Sequence, residues 1–154
     1  MTKVQILMGS KSDIEVARKA KAVLDEFDVS VGMAVASAHR TPKRVETIVN
    51  ECGADVFIAI AGLSAALPGV VAATTMKPVI GIPVSGKMSL DSLLSVVQMP
   101  PGIPVAGVGL DRGENAAILA VQILSISDKS LQEKMAAYRS KMAEKVVADS
   151  EEVC

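Results

Sequence analysis

Short apolar runs alternate along this chain with segments whose apolar residues recur every three or four positions, and turn residues separate the two kinds. Val4-Gln5-Ile6-Leu7-Met8 is the first run, and Gly9-Ser10-Lys11-Ser12-Asp13 follows it at once. Ile14, Ala17, Ala20, Leu24 and Phe27 then fall at helical spacing, with Ser12 and Glu15 in the pattern of a capping box. Val29 to Ala36 reads as a second strand, and Pro42 to Cys52 as a helix that Gly53 stops. Val56 to Ala61 is continuously apolar, as a strand covered on both faces must be. Gly62 to Gly69 is a loop of small residues leading to a short helix, about Val70 to Thr75. Val79 to Val84 is the fourth strand, Ser85 to Met88 the loop after it, and Ser89 to Val97 a helix. A proline-rich connection precedes a fifth strand, Val105 to Leu110, and a helix ends near Ile126. A last helix, about 128–148, carries Leu131, Met135, Tyr138, Met142 and Val146 on one face.

Strands alternating with helices predict a parallel five-stranded sheet with helices on both sides, joined by right-handed crossovers. The expected fold is therefore α/β, a three-layer α/β/α sandwich, with residues 1–154 forming one catalytic domain. The helix over 128–148 exceeds the minimal sandwich, so its apolar stripe is expected to pack on a neighbouring subunit. In such a sheet, ligands bind beyond the carboxyl ends of the strands where strand order reverses. With the order 2-1-3-4-5, the reversal gathers Gly9 to Asp13, Ser37 to Arg40 and Ala61 to Gly69 around one crevice.

Composition narrows the class of partner. Half of the residues are hydrophobic and mean hydropathy is +0.41, so more apolar surface is available than one small core uses, and a homo-oligomer is expected. A net charge of −1 and 2% aromatic residues argue against nucleic acid, which calls for a basic stripe and stacking rings. No apolar stretch approaches the roughly 20 residues needed to cross a bilayer, and no signal peptide opens the sequence, so a cytoplasmic protein without membrane association is expected. Cys52 and Cys154 suit neither a disulfide framework nor a metal cluster, and both read as reduced and structural.

The candidate chemistry centres on Ser37-Ala38-His39-Arg40-Thr41-Pro42, which holds the chain's single histidine beside an arginine. Histidine is the side chain whose ordinary pKa lies nearest neutrality, so in a loop it is a candidate proton carrier. Thr41-Pro42 reads as a helix start, with Thr41 as N-cap. Arg40 can grip a phosphate or carboxylate with two parallel hydrogen bonds. Gly9, Ser10 and Ser12 look like an anion cradle at a helix N-terminus, and Asp13 suits a sugar hydroxyl, so a sugar phosphate fits the first loop. The loop lacks the glycine patterns of dinucleotide and nucleoside triphosphate sites. Ala61 to Gly69 offers small side chains and backbone amides, able to hold a flat or carboxylated ligand away from water. No His, Cys or carboxylate set has metal-ligand spacing.

Four ordered motifs carry a resemblance over nearly the whole chain: Met8 to Asp13, Ser37 to Pro42, Ala61-Gly62 through Leu67-Pro68-Gly69, and Ser95-Val96-Val97-Gln98-Met99-Pro100. They resemble the purine-biosynthesis family of N5-carboxyaminoimidazole ribonucleotide mutases and the related aminoimidazole ribonucleotide carboxylases. The resemblance implies a flavodoxin-like sandwich, a homo-octamer, and no metal or organic cofactor. It implies carboxyl transfer from an exocyclic nitrogen to a ring carbon of an aminoimidazole ribonucleotide, with His39 as acid and base. By the same resemblance Ser10, Asp13 and Arg40 hold the ribonucleotide, and Ser12, Ser37, Ala38, Ala61, Gly62, Leu63, Ser64 and Leu67 complete the pocket.

One position departs from the pattern. The mutases usually read Ala-Gly-x-x-Ala-His-Leu-Pro-Gly in the third loop, where this chain has Ala66. The carboxylases, which use free carbon dioxide, also lack that histidine and carry Ser at the place of Ser64. They typically have Lys at the place of Arg40 and Arg at that of Leu63. Arg40 and Leu67-Pro68-Gly69 favour the mutase, with direct carboxylation as the alternative. A non-catalytic nucleotide-binding module on the same sandwich is the remote third reading. The first loop lacks the clustered acids of a phospho-acceptor, and the chain lacks the aromatics that would flank a flavin.

Overall fold

The computed structural model describes residues 2–87 and 89–153. Met88, expected at the end of the loop after the fourth strand, and Cys154 lie outside the described residues. Strands β1 (Val4–Met8), β2 (Val31–Val35), β3 (Val56–Ala61), β4 (Val79–Pro83) and β5 (Ala106–Gly107) form one parallel sheet in the order β2-β1-β3-β4-β5. Six α-helices connect and flank them: α1 (Ile14–Glu26), α2 (Pro42–Glu51), α3 (Leu67–Thr74), α4 (Ser89–Val97), α5 (Gly113–Ser125) and α6 (Lys129–Val153). This is the three-layer α/β/α sandwich that the alternation of the two periodicities predicts.

β1, β3 and β4 are buried along their whole length, which is why their sequences are apolar without alternation. Successive side chains point to opposite faces. Val4, Ile6, Met8, Ile58 and Ile60 pack under α1 and α5, whereas Leu7, Phe57 and Ala59 pack under α2, α3 and α4. Two cores thus grip the sheet from either side. The α1 and α5 contact is close: a Cβ on Gly113 would collide with the Val16 carbonyl oxygen and lie 3.0 Å from the Ala20 nitrogen.

Four expectations are revised. The second strand spans Val31–Val35 rather than 29–36, and it is only half-buried, as an edge strand is. β5 is two exposed residues rather than six. Gly109 has φ +118°, a conformation that ends extended pairing, and a short edge strand presents few unpaired backbone groups to another chain. The third helix starts at Leu67, three residues earlier than expected, because Pro68 is accommodated in its first turn. Finally, the stripe on α6 divides. Leu131 and Met135 are buried in the core of their own domain, and the Tyr138 ring lies 5.4 Å from that of Phe27. Lys134 Nζ adds bonds to the Phe27 carbonyl at 3.3 Å and to Asp28 Oδ2 at 2.7 Å. The stripe's first half therefore covers its own domain rather than a neighbour. Beyond it, Met142 and Val146 are 55% and 69% exposed.

Cys52 caps the end of α2, half-buried, with Sγ 4.0 Å from the Val49 carbonyl oxygen. Among the described residues no helix is long and apolar enough to cross a membrane.

Candidate active site

β1 and β3 are neighbours in the sheet, yet the chain leaves β1 through α1 on one face and β3 through α3 on the other. Their exit loops therefore diverge and open a crevice at the strands' carboxyl ends, and the loop after β2 closes its side.

The first loop is a single turn of 3-10 helix, Lys11–Asp13, after Ser10. The Gly9 amide donates to the Ile60 carbonyl at 3.0 Å, which fixes the loop to the end of β3. The capping box is formed by Ser10 and Asp13, not by Ser12 and Glu15. The Ser10 amide donates to Asp13 Oδ2 at 3.1 Å, and the Ser12 amide donates to Ser10 Oγ at 3.4 Å. Glu15 instead pairs with Arg18 on the surface at 2.7 Å. Both patterns were available to the sequence, and the tight turn directly after β1 selects the earlier one. Asp13 is only 6% exposed. Burial pushes its carboxyl pKa up, and the Ser10 amide and the Ser12 hydroxyl, which donates to Oδ1 at 3.3 Å, oppose the shift.

The second loop is a compact turn from Ser37 to Thr41. Ser37 Oγ accepts from the Arg40 amide at 3.2 Å and from Arg40 Nε at 3.3 Å, while Arg40 Nη2 donates to the Gly9 carbonyl at 3.0 Å. The guanidinium thus spans from the second loop to the first and keeps donors in reserve, since five N–H groups are available to it. His39 stands exposed at the apex of the turn. Thr41 occupies the N-cap position of α2, but its hydroxyl does not cap the helix as the sequence suggests. It turns back onto Ser37 instead.

The third loop, residues 62–66, is held by the Ala65 amide on the Gly62 carbonyl at 2.9 Å, and Ala66 becomes the N-cap of α3. Leu63 and Ala65 adopt left-handed conformations, φ +47° and +42°. Non-glycine residues there cost on the order of 1 kcal/mol each and concentrate at functional sites. Leu63 is 86% exposed on the rim, where it contributes no burial to offset that cost.

The three loops line a single cleft of about 510 Å³. Ser10, Ser12 and Asp13 form one wall, Ser37, Ala38, His39 and Arg40 the second, and Ala61, Gly62, Leu63, Ser64 and Leu67 the third. Every site residue expected from the sequence lies on this cleft. Gly9, Ala65 and Ala66 also line it; the sequence already placed Gly9 in the anion cradle and the other two in the loop over 61–69. A second cleft of about 760 Å³ shares Leu63 and Ser64 and brings in Ser95 and Gln98 of the fourth motif. Among the described residues, no group of three or more His, Cys, Asp or Glu side chains could hold a metal ion. The cleft combines an accessible imidazole, a bridging guanidinium, a shielded carboxyl group and hydroxyl and amide donors. Such a set can bind a phosphorylated sugar, hold a small reactive fragment against apolar groups and move a proton.

Known proteins resemble the chain over nearly its whole length. A family model described as AIR carboxylase matches residues 3–145. A protein of Methanocaldococcus jannaschii named N5-carboxyaminoimidazole ribonucleotide mutase is 60% identical over 149 residues, covering 96% of this chain and 95% of its own. A protein of the same name from Pyrococcus abyssi is 54% identical, covering 92% of this chain and 84% of its own. The crystal structure of Treponema denticola PurE superposes with a TM-score of 0.87 at 33% identity, covering 97% of this chain and 96% of that one.

Proposed function

The chain belongs to the AIR carboxylase family, and on that premise we propose that it converts N5-carboxyaminoimidazole ribonucleotide to 4-carboxy-5-aminoimidazole ribonucleotide in de novo purine (IMP) biosynthesis. The reaction is an intramolecular carboxyl transfer, a mutase reaction of the isomerase class. The observation that carries the reading is the convergence of His39, Arg40 and the Ser10 to Asp13 turn with the small-residue loop on one cleft.

The chemistry follows from those groups. Arg40 and the first loop hold the ribonucleotide, and Asp13 meets a ribose hydroxyl. The carbamate C–N bond breaks, the exocyclic nitrogen takes a proton from His39, and carbon dioxide is released into the pocket. The electron-rich ring carbon attacks that carbon dioxide, a C–C bond forms, and the ring proton passes to His39. The imidazole ends as it began and no proton is consumed, so one histidine suffices. Ala61, Gly62, Ser64 and Leu67 keep carbon dioxide from water and from competing nucleophiles.

Ala66 favours a second reading. Without a histidine at the start of α3, the pocket also suits an aminoimidazole ribonucleotide carboxylase, a lyase that draws on free carbon dioxide. We further propose a cytoplasmic homo-octamer of single-domain chains, with the exposed far half of α6 covered by another subunit.

Purified protein is offered freshly prepared N5-carboxyaminoimidazole ribonucleotide, and separately aminoimidazole ribonucleotide with bicarbonate, beside a His39→Asn control. Efficient turnover of the carbamate, with the free amine reacting only at high bicarbonate, is the expected result. Fast reaction of the free amine at low carbon dioxide would make the protein a carboxylase. Full activity in the control would remove His39 from the mechanism.

A further inference from the structure

The turn that carries His39 is closed by Thr41. Its Oγ1 accepts from the Ser37 amide at 2.9 Å and donates to the Ser37 carbonyl at 3.2 Å, while the Thr41 amide donates to the same carbonyl at 2.9 Å. One residue thus ties both ends of a five-residue loop, through its backbone and its hydroxyl together. Thr41 holds the N-cap place of α2 with φ −138° and ψ 55°, yet its hydroxyl makes no bond to that helix. A threonine at an N-cap ordinarily spends its oxygen on the helix amides. Here the oxygen is spent on the loop.

What the loop presents explains that choice. His39 lies midway between Ser37 and Thr41, exposed on the cleft. Among the described residues no side chain hydrogen-bonds its ring. Catalytic histidines are commonly oriented by a partner on the second ring nitrogen; among the described residues this one has no such partner. The position of the imidazole therefore depends on how firmly the turn is held, and the hydroxyl of Thr41 ties its last residue to both backbone groups of its first, beside the Ser37 hydroxyl on the Arg40 amide. We infer that Thr41 is a positioning residue for His39, setting the distance over which the imidazole exchanges its proton with the substrate. The inference rests on the reading of His39 as the acid and base.

Thr41 is exposed, so a Ser37 amide freed by substitution meets water, and α2 loses no cap. The consequences of Thr41→Val should appear in turnover rather than in folding. Misplacing a catalytic group by about 1 Å costs up to about a hundredfold in rate. For Thr41→Val we expect kcat to fall between about tenfold and a hundredfold with KM within about threefold, and Thr41→Ser to restore most of it. The decisive arm is the cycle with His39→Asn. If Thr41 acts through the imidazole, the double variant is no slower than His39→Asn alone. Thr41→Ala goes through the same arms, so that a poorly folding valine variant does not end the test, and melting temperatures accompany each protein. Unchanged kcat in both Thr41→Val and Thr41→Ala, equal impairment of Thr41→Ser, or multiplicative losses in the double variant would overturn the inference. Full activity in His39→Asn alone would instead overturn the reading of the histidine, which separates the two failures.

Discussion

Arg40 Nη2 donates to the Gly9 carbonyl oxygen at 3.0 Å across 31 residues of sequence, and so joins the turn that presents His39 to the turn that follows β1. The bond makes the arginine both a tie between two walls of the cleft and a cation directed at whatever those walls hold. A lysine keeps the charge but cannot reproduce the fork that reaches Gly9 and Ser37 together.

Arg40→Lys should therefore weaken binding more than it alters chemistry. We expect KM for the ribonucleotide to rise about tenfold, the loss of one charge-assisted hydrogen bond, with kcat changing less. Steady-state kinetics beside a direct titration with a non-reactive ribonucleotide measures this, and an unchanged KM would mean that Arg40 only ties the loops.

Asp13 should leave a pH signature in stability. Its pKa is raised in the folded protein by burial. The contribution is fully favourable below the pKa of the unfolded chain and is lost as pH rises through the folded value, above which a shielded carboxylate is charged at a cost. Asn preserves shape and can still accept from the Ser10 amide. The melting temperature of Asp13→Asn relative to the parent should then be higher at pH 7 than at pH 3. The opposite trend would show that the capping bonds outweigh desolvation.

Gly113 offers a test of the packing beneath the site. A methyl group there meets backbone atoms of Val16 and Ala20, which cannot swing aside as a side chain could. Gly113→Ala should cost about 1–3 kcal/mol in denaturant unfolding, in spite of alanine's better helix propensity. A stabilised variant would mean that α1 and α5 separate readily.

Met142 and Val146 test the proposed assembly. Both are exposed on the far half of α6, where every described residue from 139 to 153 is exposed. Replacing them together by glutamate should leave the fold intact and shift sedimentation toward smaller species. An unchanged sedimentation profile would place the subunit contacts elsewhere.

The order of elements and the place of the cleft could be read directly from the chain, because each depends on local spacing. A strand buried on both faces must be continuously apolar, as Val56 to Ala61 is, and an amphipathic helix must repeat near 3.6, as Ile14 to Phe27 does. Parallel topology then sends every loop that follows a strand to one rim, so Ser10, His39 and Ala61 had to meet there. Tertiary structure decided the rest, where several local solutions compete for the same donors. Two serines in the first turn could have capped it, and the geometry at the end of β1 chose Ser10 with Asp13. Thr41 could have capped α2, and the closed turn drew its hydroxyl to Ser37. The stripe on α6 reads as continuous in sequence, but Phe27 and its neighbours are within reach of the first half alone. The tie from Arg40 to Gly9 and the close approach of Gly113 to α1 have no local signature at all. They exist because the sheet brings distant segments within a few ångströms of one another.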